Sequence, residues 1–200
     1  LEAFTALEVL SLDGNWLSAL DFSKFPQLSK VSIGYNLFQN LDFSKNSQLE
    51  SLDVSCNPIS KLVLPTSGKL QELQANLALY AGRPVCGHIP PAEVTTNLID
   101  VNTNLPINDQ SYLKPVAFWL NLANQTGLQQ LYLKNRGLTE LSLNTMPPQN
   151  SLHVLDVADN ALMNLDLSNL PELQSFDATN TTLETIKFAQ PSKLTSLRLG

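Results

Sequence analysis

The sequence predicts an α/β-type solenoid that is mostly β, with a parallel sheet on one side and short strands or turns on the other. Two observations predict it: the spacing L-x-x-L-x-L occurs eight times, and most copies are followed by Asn three residues later. The copies begin at Leu7, Leu28, Leu49, Leu70, Leu128, Leu152, Leu173 and Leu194, so most of them recur at one constant interval. A fixed period of this kind is typical of a solenoid, because one coil cannot bury its apolar edge without its neighbours.

The first element of each coil is predicted to be a short strand. In the coil that begins at Leu49, the apolar Leu52 and Val54 alternate with the polar Asp53 and Ser55. A period of two is the pattern of a half-buried strand. Equivalent strands of successive coils are therefore expected to pair in parallel.

The strand is followed by an Asn that turns the chain. A side-chain amide donates and accepts at once, so a column of amides can satisfy the backbone groups that a turn leaves unpaired. The predicted column is Asn15, Asn36, Asn57 and Asn160.

The return half of each coil carries a second alternation, as in Leu41-Asp42-Phe43-Ser44. The interval from Leu28 to Leu49 leaves little length for a helix here. We therefore expect short parallel strands or turns on this side of the solenoid.

The region 76–127 breaks the regular pattern. The stretch from 70 to 127 is longer than two regular coils would need. One parsing gives a long coil over 70–95 and a second over 96–127, with Ile99 and Val101 in strand positions and Asn104 in the turn. Glycines and prolines predict a loop over 76–98, and a helical spacing of apolar residues predicts a helix over 109–124.

The predicted helix has one apolar face, which we expect to pack against the solenoid. This face comprises Tyr112, Val116, Trp119, Leu120 and Ala123. Phe118 and Leu122 lie off it, so they are expected to be exposed and are candidates for contact with a partner.

The whole chain, 1–200, is predicted to be a single solenoid and a segment of a longer protein. The net charge is −6, and acids and bases are scattered without a basic block. Nucleic-acid binding through phosphate neutralisation is therefore not expected. No apolar run approaches the length that a membrane-spanning helix needs, so this segment is not expected to insert into a membrane.

No catalytic motif, metal site or cofactor site is predicted from the sequence. The motifs of nucleophile elbows, phosphate loops and zinc proteases are absent. The oxygen-bearing run at 100–108 has the spacing of a calcium loop, but Leu105 stands where the tight turn needs Gly. We therefore interpret this run as a further repeat and predict no enzyme.

The chain contains two cysteines, Cys56 in a predicted turn and Cys86 in the predicted loop. If the loop folds back by one coil, they could form a disulfide bond, which would be consistent with an oxidising compartment. The alternative, two unrelated thiols, is equally open at this stage.

The repeats resemble those of leucine-rich repeat proteins. Segments such as FQNLDFSKNSQLESLDVSCN and LMNLDLSNLPELQSFDATN carry the phrase L-x-x-L-D-x-S-K/N-x-x-x-L. This phrase is similar to the 21-residue class of bacterial surface proteins, namely internalin-like proteins and their Bacteroidetes relatives. The resemblance covers 1–75 and 128–200.

The resemblance implies a right-handed, curved, horseshoe-shaped solenoid whose concave sheet binds a protein or glycan without catalysis. On this chain, the concave binding residues would be Asp13, Asp53, Gln74, Tyr132, Lys134, Asp156, Asp177 and Arg198. We expect an extracellular or bacterial cell-surface location. The alternatives are a structural spacer of a surface protein and an effector acting inside a host cell; the oligomeric state is left open.

Overall fold

The repeated alternation of apolar and polar residues produces a solenoid of short parallel strands. The computed structural model describes residues 4–77, 79–80, 83–84 and 118–200. The strands are β1 (Val9–Ser11), β2 (Lys30–Ser32), β3 (Asn40–Asp42), β4 (Ser51–Asp53), β5 (Lys61–Val63), β6 (Glu72–Gln74), β7 (Leu79–Tyr80), β8 (Arg83–Pro84), β9 (Trp119–Leu120), β10 (Gln130–Tyr132), β11 (Val154–Asp156), β12 (Asn164–Leu167), β13 (Ser175–Ala178), β14 (Thr185–Phe188) and β15 (Ser196–Leu199). A single 3-10 turn, Phe22–Lys24, is the only helix in these ranges.

The strands form a main sheet on one side of the coils and smaller sheets on the return side. The main sheet has eight parallel strands in the order β1-β2-β4-β6-β10-β11-β13-β15. The return side holds the parallel sheets β3-β5-β9 and β12-β14. The predicted fold class, a mostly β solenoid with a parallel sheet and short strands opposite it, is confirmed.

The core lies between these two sides and is filled by apolar residues from each turn of the chain. Leu52, Leu73 and Leu131 are fully buried along the main sheet. Phe22 packs against Phe43 from the return side with 4.5 Å between ring centroids. Because each coil adds a similar layer, burial is continuous along the solenoid.

The Leu70 coil leads into the long irregular region. Strands β6 and β10, on either side of that region, are direct neighbours in the main sheet, with Leu73 opposite Leu131. The predicted second coil has Ile99 and Val101 in strand positions and Asn104 in the turn, and these three residues lie outside the described residues.

The return half of the Leu70 coil includes the last residues of the predicted helix. Most of 109–124 lies outside the described residues, but Trp119–Leu120 is strand β9, and Leu120 pairs with Leu62 of β5. The helix prediction is therefore wrong for 118–124. Leu122 is buried, contrary to the expected exposure, and Phe118 is half-buried against the core. Both positions follow from pairing with the preceding coil, which places their side chains towards the interior.

The predicted loop over 76–98 is described only in part. Leu79–Tyr80 and Arg83–Pro84 form a short antiparallel pair. The rest of the loop, including Cys86, and positions 109–117 of the predicted helix lie outside the described residues.

Candidate binding face

The outward side chains of the main sheet form three parallel columns, which together we call the ladder face. Backbone pairing places the middle column in strict register, rung by rung. It reads Ser11, Ser32, Asp53, Gln74, Tyr132, Asp156, Asp177 and Arg198. None of these eight side chains is buried. Six of the eight residues predicted for binding are therefore brought into one accessible line.

The other two predicted binding residues, Asp13 and Lys134, lie two positions beyond the last residues of β1 and β10. The Asp13 carboxylate accepts hydrogen bonds from the hydroxyl of Ser32, at 2.7 and 2.8 Å, and from the backbone N–H of Gly34 at 2.6 Å. Lys134 Nζ lies 3.3 Å from Asp159 Oδ2. The Asp13 side chain is thus fixed by hydrogen bonds within the solenoid. Lys134 is half-exposed and forms an ion pair with Asp159 at the edge of the ladder face.

Three aspartates of the middle column also shape the backbone. Each accepts a hydrogen bond through Oδ1 from the backbone N–H two residues later: Asp53 from Ser55 at 2.8 Å, Asp156 from Ala158 at 3.0 Å, and Asp177 from Thr179 at 2.9 Å. Such local bonds are typical of Asp near turns. One oxygen of each carboxylate is thereby fixed, and the side chain is held in place before any partner binds.

The centre of the ladder face is a polar cluster around Tyr132. The Tyr132 hydroxyl donates to Gln130 Oε1 at 2.8 Å, and Gln74 Nε2 donates to Glu72 Oε1 at 2.7 Å. Gln130 and Glu72 face one another across β10 and β6. The binding set predicted from the sequence missed these two residues, because it contains only residues of the middle column and residues two positions after it. The same period of two would have identified the column two positions before it.

Electrostatics at this centre reflect several carboxylates close together. Burial raises the pKa of Tyr132, and the negative charges of Glu72 and Asp156 raise it further. Burial also raises the pKa of Asp156; the hydrogen bond from Ala158 opposes this, and Asp177 adds to it. The folded protein therefore disfavours the negative charge of Asp156.

Towards the end of the sheet the balance reverses. Burial alone would raise the pKa of Asp177, but hydrogen bonds from Thr179 and Arg198 outweigh it, so the pKa is lowered. The Arg198 guanidinium lies 3.4 Å from Asp177 Oδ2. The charge of Asp177 is therefore already balanced by Arg198 within the protein, in contrast to the carboxylates at the centre of the face.

The structure places the predicted Asn column beneath one edge of the ladder face. Nδ2 of Asn57 donates to the carbonyls of Ile33 and Val54 at 2.9 and 3.1 Å, and its Oδ1 accepts from the Phe38 N–H at 3.1 Å. Asn36 and Asn160 make equivalent bonds and are also buried. Asn15 is exposed, and its Nδ2 bonds only within its own coil.

Arg136 occupies the Asn position of its coil and was missed as a structural residue. Its guanidinium is buried and donates to the carbonyls of Asn57 and Ile59 at 3.2 and 2.9 Å. It also lies 4.2 Å from the ring centroid of Phe118. Burial lowers the pKa of Arg136 to about 10. Arg136 thus connects the Leu128 coil, which follows the long region, with the Leu49 coil, which precedes it.

Cys56 takes part in a disulfide bond. The sequence contains one other cysteine, Cys86, which lies outside the described residues. The pairing Cys56–Cys86 stays a prediction.

Among the residues that the structure describes, no group of His, Cys, Asp and Glu could hold a metal ion. In those same ranges no helix has the length and hydropathy needed to cross a membrane. What the ladder face offers chemically is a fixed set of hydrogen-bonding and charged groups around one aromatic ring.

Comparison with known proteins agrees with this architecture. A family model described as Leucine Rich Repeat matches residues 48–70. The leucine-rich repeat domain of APL1B has 22% identity and a TM-score of 0.58, and the match covers 96% of this chain and 47% of that one. The Toll–Spatzle complex from Drosophila has 20% identity and a TM-score of 0.57, covering 90% and 22%.

An internalin, InlF from Listeria monocytogenes, has 18% identity and a TM-score of 0.49, covering 100% of this chain and 62% of that one. No curated protein matches the chain significantly. The chain spans about half the length of the APL1B domain. The parallel sheet, the buried Asn column and the family match at the Leu49 coil together show that this chain has the fold of leucine-rich repeat proteins.

Proposed function

We propose that the chain is a non-enzymatic recognition module that binds a protein or glycan through the ladder face, outside the cell or at a bacterial surface. The observation that carries this proposal is the accessible, pre-ordered column centred on Tyr132. Aromatic side chains are common anchors of interfaces, and side chains already fixed lose less conformational freedom on binding. The proposed concave binding set is the one predicted from the sequence, extended by Glu72 and Gln130.

Two further observations support parts of the proposal. The fold is one that presents surfaces for macromolecular interaction, and the similar Toll structure was itself solved as a complex with Spatzle. The disulfide bond of Cys56 favours an oxidising compartment and hence the extracellular location. The bacterial, internalin-like subclass is proposed from the repeat phrase alone. That nucleic acid is not the partner is likewise proposed, from the net charge of −6.

The test is a comparison of three proteins on arrays of purified secreted proteins, glycans and single-stranded RNA. The first is the intact chain, and the second carries Tyr132→Ala, Lys134→Ala and Asp156→Ala. The third is a matched control from the return side with Met163→Ala, Lys187→Ala and Asp166→Ala. Asp166 and Lys187 form an exposed ion pair at 3.7 Å, and Met163 is 49% exposed.

We expect a protein or glycan to bind the intact chain and the control, and to lose at least about 1.4 kcal/mol of affinity, or tenfold, with the ladder-face variant. Equal binding by all three proteins would contradict use of this face. The absence of any binder would favour the structural spacer. A freely alkylated Cys56 in native-source protein would contradict the extracellular location and favour the intracellular effector.

A further inference from the structure

The central four strands of the ladder face carry carboxylates that lack a described ion-pair partner. They are Asp53 on β4, Glu72 on β6 and Asp156 on β11. The described ion pairs near this face use Asp159 and Asp177 instead. Glu72 accepts hydrogen bonds only from neutral donors, Gln74 and Ser51, at 2.7 and 3.5 Å. Negative charge is therefore concentrated at the centre of the face. Lys134, the basic residue nearest to this centre, is ion-paired with Asp159 and its charge also acts on Asp156, so it offsets only part of the charge of the three carboxylates.

Tyr132 lies between two of these carboxylates. Its strand, β10, is flanked by β6 with Glu72 on one side and by β11 with Asp156 on the other. The hydroxyl is fixed by Gln130, and both carboxylates act on the titration of the phenol. The Tyr132 ring therefore lies in a region of negative electrostatic potential. A cation is attracted both to the face of an aromatic ring and to flanking carboxylates.

Resting on the proposed function, we infer that the acidic patch of Asp53, Glu72, Tyr132 and Asp156 binds a basic, extended segment of a protein partner. Charge complementarity favours this occupant, because Lys and Arg supply the counter-charge that the patch lacks. The distance from β4 to β11 is three strand spacings, about 14 Å. In an extended segment, side chains at positions i and i+4 lie on one side and are about 13 Å apart. Basic residues at alternate positions therefore match the patch.

The probe is a blocked synthetic peptide, Arg-Ser-Arg-Ser-Arg, titrated by calorimetry into the intact chain, with Glu-Ser-Glu-Ser-Glu as the charge-reversed control. Two double variants are compared with the unchanged protein. Glu72→Gln with Asp156→Asn removes two charges from the patch and keeps the shapes. Glu140→Gln with Asp166→Asn removes two exposed charges from the return side. Thermal unfolding of each variant verifies that it is folded.

We expect the basic peptide to bind, and the patch variant to weaken this binding about tenfold while the return-side variant changes it less than about twofold. Raising the salt concentration from about 50 to about 300 mM should weaken binding further, since the patch is solvent-accessible. Equal weakening by both variants would overturn the inference, because it would indicate attraction to net charge alone. Failure of the peptide to bind would overturn it as well.

The two proposals fail separately. If an array ligand loses binding with the Tyr132, Lys134 and Asp156 variant but is unaffected by Glu72→Gln with Asp156→Asn, the ladder face is functional and the basic partner is wrong. If the array ligands ignore both variants, the ladder face itself is wrong.

Discussion

Adjacent aspartates of the middle column have opposite environments, although they occupy equivalent positions of successive coils. Asp156 and Asp177 each accept a hydrogen bond from the backbone N–H two residues on. Burial raises the pKa of Asp156, whereas hydrogen bonds outweigh burial at Asp177 and lower its pKa. The folded state therefore disfavours the charge on Asp156 and favours the charge on Asp177.

Replacing Asp156 by Asn should raise the melting temperature at pH 7 by about 1–2 °C, because the charge is removed and the acceptor for Ala158 is kept. A raised folded-state pKa makes the ionised acid destabilising above that pKa, so the gain should vanish as the pH falls and Asp156 is protonated. The matched change Asp177→Asn should lower the melting temperature at pH 7. Differential scanning calorimetry from pH 3 to 7 measures both; a loss of stability in Asp156→Asn would contradict the assignment.

Asn36 and Asn15 occupy the same position of neighbouring coils but differ in burial. Asn36→Ala strands the Leu17 N–H, which donates to its Oδ1 at 3.0 Å, and removes one of the two amides that donate to the Leu12 carbonyl. We expect a loss of about 1–3 kcal/mol in the free energy of unfolding. Asn15→Ala should cost less, since water can replace its bonds at an exposed site. Urea denaturation of the two variants checks this, and equal losses would show that burial of the amide is not what matters.

At the scale of the element, most coils consist of one strand, one Asn-centred turn and one return segment, whereas the Leu70 coil has no Asn at the turn position. Its Asn position is Ala78 in sequence, which lies outside the described residues. The next coil supplies Arg136, whose long side chain reaches the carbonyls of Asn57 and Ile59 two coils back. The ends of the Leu49 and Leu70 coils also pack closely, because a Cβ on Gly127 would collide with the Gly68 carbonyl oxygen.

Arg136→Gln should lower the free energy of unfolding by about 2–4 kcal/mol, because it removes two buried hydrogen bonds and the contact with the Phe118 ring. Arg136→Lys keeps the charge but loses the two-pronged geometry, so it should recover only part of this loss. Limited proteolysis should cut both variants faster within 78–117 than the unchanged chain. If Lys restores full stability, the charge rather than the paired carbonyl contacts is the essential feature.

At the scale of the whole molecule, much of the solenoid was predictable because a constant period fixes register. The constant interval between Leu28, Leu49 and Leu70 predicts parallel pairing of equivalent strands, and backbone pairing brings Val31, Leu52 and Leu73 of these coils into register. The end of the long region was mispredicted because its apolar residues fit both a helical spacing and a strand alternation. Leu120-Asn121-Leu122 repeats the pattern of Leu41-Asp42-Phe43, but only pairing with β5 selects the strand.

Other features lie beyond what a single repeat pattern encodes. Arg136 could not be recognised, because its role depends on which coils become neighbours across the long region. The crowding of Glu72 and Asp156 around Tyr132 depends in the same way on the direct pairing of β6 with β10. Repeat spacing predicts the scaffold, whereas these contacts arise where the spacing is interrupted.

The most direct test of the central claim is carboxylate footprinting of the chain with and without a partner obtained from the arrays. Carbodiimide labelling and mass spectrometry would report on acids of both sides within one sample. We expect protection of Asp53, Glu72 and Asp156 on the ladder face, with unchanged labelling of Asp42 and Asp166 on the return side. Protection confined to the return side, or spread equally over both sides, would contradict it.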